Sequence, residues 1–151
     1  MLQAHAWQQV GTVALWRYTE NQRNFPGWHL SANAEGIGAI LTLLNAFEAD
    51  GVAGSRIMAV AAPTASLLAV SNNRTSKWVA PAKFRISFSG TPSQWSFPES
   101  LDPAELTLGA EWLPGLRKGL SGIIRGRGDH SIGHHGKDNL PLWFWWQRAA
   151  A

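Results

Sequence analysis

Between Ile123 and Trp146 the chain reads I-I-R-G-R-G-D-H-S-I-G-H-H-G-K-D-N-L-P-L-W-F-W-W, and this stretch gathers most of the side chains able to do chemistry. His130, His134 and His135 are three of the five histidines, with Asp129 and Asp138 beside them. Imidazole and carboxylate together suit zinc, nickel or copper. The spacing argues against a metal. A closed site needs a full tetrahedral set of converging ligands, whereas the neighbours His134 and His135 point to opposite faces of an extended chain. Gly133 and Gly136 loosen the segment, and ordering it around an ion would cost roughly 1–2 kcal/mol per residue fixed. The expectation is solvated loop histidines, no metal and no cofactor; a real site would need a distant ligand such as His29 or Glu20.

A second chemistry in the same stretch is anion binding. Arg125, Arg127 and Lys137 stand among glycines, whose free backbone N–H groups can turn towards a phosphate. With tryptophans close by, this is also the smallest surface that could hold single-stranded nucleic acid through stacking and charge; Asp129 and Asp138 interrupt the patch and weigh against that. The aromatic run offers a third feature. On a strand, Trp143 and Trp145 share one face and Phe144 and Trp146 the other. A strand apolar on both faces is either central and covered twice or gives one face to a partner. A buried core strand is expected, with an aromatic platform as the alternative. The candidate binding residues are therefore Arg125, Arg127, Asp129, His130, His134, His135, Lys137, Trp143 and Trp145.

Catalytic signatures are missing. There is no G-x-S-x-G turn, and Ser121 and Ser131 have no identifiable base. Glu20, Glu35, Glu48 and Asp50 show no spacing that nominates an acid–base pair. His29, next to Trp28, could line a pocket with Glu20 and Arg23, but a strand-edge histidine is the plainer reading. G-I-G at Gly36–Gly38 lacks the third glycine and the preceding strand of a dinucleotide loop.

Composition narrows the classes further. The chain has 151 residues, 45% of them hydrophobic, and only 15% charged, well below the usual quarter. So little charge leaves more neutral or apolar surface, which favours a protein partner or a second copy of the chain. The net charge is +3, modest for a nucleic-acid binder without a concentrated basic patch. No cysteine is present, which removes disulfides and thiolate chemistry. The first residues carry no basic cluster leading into an apolar core, so no secretory signal is read. No apolar run approaches the ~20 residues that span a bilayer, so no membrane association is expected. A cytoplasmic setting follows as the default.

The elements that must position these residues are read from periodicity. Gly11–Tyr18 and Trp28–Leu30 have strand character. Ser31–Asp50 reads as a helix, capped by Ser31 or Asn33 and ended by Gly51, with Ile37, Ile40, Leu41, Leu44 and Phe47 forming an apolar stripe. Small residues at Gly36 and Gly38 suggest close backbone approach or a late helix start. Arg56–Ala62 reads as a buried strand, and residues 64–70 fit neither period. Lys83–Ser89 alternates, with Phe84, Ile86 and Phe88 inward, and should form a hairpin with Gln94–Phe97. Asp102-Pro103-Ala104-Glu105 carries the signals of a helix start. Leu113–Ile124 has helical spacing ended by Gly126, and residues 129–132 should pair with 142–146. The order suggests a single domain over residues 1–151, of α+β class: one layer of mostly antiparallel sheet with two main helices on one face.

These observations point to a small, soluble, non-catalytic binding protein, an inhibitor or accessory protein of a macromolecular partner. Two alternatives stand beside it. One is a metal-dependent or anion-binding enzyme using the His130–Asp138 loop; the other is a single-strand nucleic-acid binder.

Overall fold

The computed structural model describes residues 2–19, 25–70, 76–127, 130–136 and 139–146. Within them the elements run α1 (Gln3–Ala6), β1 (Val13–Tyr18), β2 (Trp28–Ala32), α2 (Ala34–Asp50), β3 (Gly54–Ala59), α3 (Ala65–Val70), β4 (Trp78–Val79), β5 (Lys83–Phe88), β6 (Trp95–Ser96), β7 (Ala104–Leu108), α4 (Leu113–Ile124), β8 (His130–Ile132) and β9 (Leu142–Phe144). The class is α+β, but the single layer is replaced by two sheets, one ordered β4-β1-β2-β9-β8 and the other β3-β5-β7-β6. Both are mixed but mostly antiparallel: β2 runs parallel to β9 and β5 parallel to β7, while the other five pairs are antiparallel.

The aromatic run explains the first sheet. β9 lies between β2 and β8, so it is central, and its alternation feeds two separate cores. Leu142 and Phe144 join Val13, Leu15, Trp28 and Leu30 in a large cluster shared with the second sheet, α2 and α4. Trp145 joins Ala14, Trp16 and Tyr18 in a smaller one, closed by Leu67 and Leu68 of α3. Both faces are covered, as a strand apolar on both sides demands. Trp146 departs from the expected alternation. β9 ends at Phe144, and Trp146 then packs on the smaller cluster beside Trp145.

α2 forms where the apolar stripe placed it. Of the two candidate caps, Asn33 is the one used: its Oδ1 accepts from Gly36 N at 2.8 Å and from Thr12 N at 2.9 Å. Ser31 belongs instead to β2. The close approach anticipated at Gly36 is real, since a Cβ there would stand 2.6 Å from the Thr12 carbonyl oxygen.

Three expectations in the middle of the chain are overturned. Residues 56–62 do not make a buried strand: β3 is the edge of its sheet, with Met58 buried and Ile57 44% exposed. Its free side is covered by the Gln9 amide, which donates to Ala59 O at 2.7 Å and accepts from Ala59 N at 2.8 Å. This satisfies an edge that would otherwise invite another strand. No helix starts at Asp102. Ala104, Leu106 and Leu108 are fully buried at alternate positions, and that period of two prevails over capping signals that serve a turn equally well. Finally, β5 and β6 are not hairpin partners. β7 lies between them, parallel to β5 and antiparallel to β6, because it carries the most completely buried alternation of the three and so takes an interior position.

The two sheets share an apolar core, and hydrogen bonds such as Trp95 Nε1 to Leu140 O at 2.9 Å reinforce the seam, with one side chain contributing two of them. Asn139 accepts from Phe97 N and donates to Trp95 O, both at 2.9 Å, and Leu140 N then donates to Phe97 O at 3.0 Å. No helix among the described residues is long and apolar enough to cross a membrane.

Candidate anion-binding cleft

The apolar spacing that predicts α4 runs from Leu113 through Leu116, Leu120, Ile123 and Ile124; the helix buries the first four, while Ile124 turns out 57% exposed. What brings it close to the first sheet is a position without a side chain. A Cβ on Gly119 would lie 2.4–2.5 Å from three atoms of the Phe144 ring, so the helix rides directly on that ring. The helix ends in a Schellman motif: Gly126 takes φ +72°, Gly126 N donates to Ile123 O at 3.1 Å, and Arg127 N donates to Gly122 O at 2.8 Å. Only glycine adopts such a φ cheaply. The turn throws the chain back towards β8, where His130 pairs with Phe144 across the ladder and its ring stacks at 5.8 Å and 26°.

A cleft of about 330 Å³ opens between these pieces. Lys118, Ser121 and Arg125 line it from α4, Arg127 from the turn and His130 from β8, with Gly119, Gly122 and Phe144 as its apolar floor. Lys118, Ser121, Gly122 and Arg125 recur at i, i+3, i+4 and i+7, one face of a helix. Among the described residues the ion pairs are Arg85–Glu105 and Arg117–Glu48, so Lys118, Arg125 and Arg127 face the cleft without a carboxylate. Nor are the two guanidinium groups needed as caps, because backbone donors already meet the last carbonyls of α4. His130 Nε2 is buried and has no hydrogen-bond partner among the described residues. A buried nitrogen lacking an acceptor is cheaper as a bare lone pair than as an N–H, which puts the ring hydrogen of the neutral form on Nδ1.

The other sequence candidates lie elsewhere. His134 packs edge-on against Trp112 at 5.0 Å. His135 lines a separate recess with Arg17, Tyr18 and Glu99. The three histidines therefore diverge, and no group of three metal-ligating side chains converges among the described residues. Trp143 and Trp145 point to the opposite face of β9 from the cleft, where Trp143 Nε1 donates to Pro26 O at 3.0 Å. Asp129, Lys137 and Asp138 lie outside the described residues, as do Glu20 and Arg23. Lys118, Ser121 and Phe144 were not among the sequence candidates; the helical spacing of Lys118, Ser121 and Arg125 was the signal available.

His29 is the largest correction. It is not a strand-edge residue: β2 lies between β1 and β9, and His29 is 0% exposed. Its ring stands between Trp16 at 5.5 Å and Trp145 at 6.0 Å, with Tyr18 edge-on at 4.9 Å. Trp145 Nε1 donates to His29 Nδ1 at 2.8 Å, so the ring hydrogen sits on Nε2. Burial drives the imidazole pKa down from 6.5 to about 3; the Phe25 carbonyl pulls the other way without closing a hydrogen bond onto Nε2. A neutral, enclosed ring of this kind is a structural core group.

No protein-family model matches the chain, and comparison with curated proteins and with solved structures likewise returns no significant match.

Proposed function

We propose that the protein is a non-catalytic binding protein whose ligand presents an anionic group to the cleft between α4 and β8. The observation that carries this reading is the meeting of Lys118, Arg125 and Arg127 at one opening with no carboxylate partner among the described residues. In a chain only 15% charged, three cations at one opening with no ion-pair partner among the described residues repel one another, and a bound anion relieves that repulsion. A cytoplasmic setting belongs to the same reading, since a chain without cysteine is indifferent to reducing conditions. The protein partner favoured by composition belongs to the same reading, and the large exposed hydrophobics among the described residues are Val10, Val52, Ile57, Trp78 and Ile124.

Titration calorimetry at low ionic strength with phosphate, sulfate and citrate tests the reading. Saturable binding is expected, and the double variant Arg125→Glu/Arg127→Glu should abolish it. Both arginines are exposed, so the variant should keep its denaturation midpoint within about 0.5 kcal/mol of wild type. Equal heats in wild type and variant would sink the proposal.

A further inference from the structure

Resting on that anion-binding reading, we infer that the cleft takes a compact organic phosphate monoester, with the phosphate among Lys118, Arg125 and Arg127 and the organic part filling the rest of the cleft. Two features of the cleft select this class over other anions.

The first is charge. Three cations are more than a carboxylate needs, while a phosphate monoester carries roughly −1.5 to −2 at neutral pH and offers three strong acceptor oxygens. Two of the cations are arginines, whose planar forks match phosphate oxygens in pairs. Ser121 and His130 also line the cleft and add polar side chains to the same walls. The second is size. A volume of about 330 Å³ is an order of magnitude above the ~30 Å³ share of one water and falls at the lower end of small-molecule sites, ~300–1,000 Å³. An inorganic phosphate would leave most of it filled with water. Nucleic acid offers the same phosphate chemistry, but as diesters of single charge strung along a chain. Binding it calls for a groove that tracks several phosphates, rather than one opening lined by three cations.

Calorimetric titration of the full chain with phenyl phosphate, inorganic phosphate, benzoate and a ten-nucleotide oligothymidylate tests the inference. Phenyl phosphate should bind at least tenfold more tightly than inorganic phosphate or benzoate. Its affinity should rise between pH 5 and pH 7 as the ester gains its second charge, at a pKa near ~6. Arg127→Ala should lower the affinity at least tenfold. Inorganic phosphate binding as tightly as phenyl phosphate would overturn the organic-phosphate assignment while leaving the anion site intact. Preference for the oligonucleotide would overturn it in favour of nucleic acid. Binding of none of the four would remove the anion site itself.

Discussion

His29 shows how far a residue's surroundings can override its usual chemistry. Its ring is enclosed by Trp16, Tyr18 and Trp145 and held neutral by burial, with a pKa near 3 against 6.5 in the open chain. The unfolded chain therefore takes up a proton on this ring near pH 6.5, and the folded protein refuses it until the pH is far lower. The stability contributed by the neutral ring is complete above pH 6.5. It is lost progressively as the pH falls towards 3, by up to roughly 1.4 kcal/mol per pH unit. Between pH 6.5 and 5 most carboxylates stay ionised, so that window isolates the histidine. Urea denaturation at pH 7, 6 and 5 should show stability falling in wild type and a flatter profile in His29→Phe. Parallel profiles would show that His29 is not buried neutral.

At the level of elements, the approach of α4 to β9 is controlled by the missing side chain at Gly119. Replacing glycine by alanine in a helix normally gains up to about 1 kcal/mol. At Gly119 the added carbon would meet three Phe144 ring atoms at 2.4–2.5 Å, and a buried ring beneath the helix has no room to slide. Gly119→Ala should therefore destabilise, by ~1–3 kcal/mol as overpacked cores do, and should weaken any ligand of the cleft that Phe144 floors. Gly38 of α2 is the internal control, because it is exposed and nothing stands within 4 Å of its added Cβ. Gly38→Ala should stabilise by roughly 0.5–1 kcal/mol. Thermal denaturation of the two variants should thus move the midpoint in opposite directions; a shared sign would refute this account of the helix–strand contact.

For the whole molecule, the seam between the sheets matters more than either sheet alone. The Asn139 amide meets a backbone N–H and a backbone carbonyl at Phe97 and Trp95, and it lies on the segment that leads into β9. Removing it leaves both backbone groups at a half-buried junction without partners, a cost on the order of 2–3 kcal/mol for two hydrogen bonds. Asn139→Ala should lower the denaturation midpoint accordingly and speed amide exchange at Phe97 before exchange in β1 or β2. Unchanged protection at Phe97 would mean that the sheets are held together by the shared apolar core and not by this amide.

Local pattern alone settled the parts of this protein whose period is unambiguous. The stripe of Ile37, Ile40, Leu44 and Phe47 made α2, the spacing of Leu113, Leu116, Leu120 and Ile123 made α4, and the unbroken apolar run 142–146 required a strand covered on both faces. The α+β class follows from those elements. Pairing did not follow, because strand partners are chosen by burial between segments distant in sequence. The completely buried alternation of Ala104, Leu106 and Leu108 placed β7 between β5 and β6, where turn signals had suggested a hairpin, and so divided one expected layer into two sheets. The site divided in the same way. Arg125, Arg127 and His130 were legible as charge and donors in one stretch. Lys118 and Ser121 joined them only through the facing of α4, and Phe144 only through contact with Gly119. His134 and His135 were carried away because β8 ends at Ile132 and the chain beyond it packs on Trp112 and towards Arg17. Sequence proximity brings side chains within reach of one another; the packing of helix on strand decides which of them share a cavity.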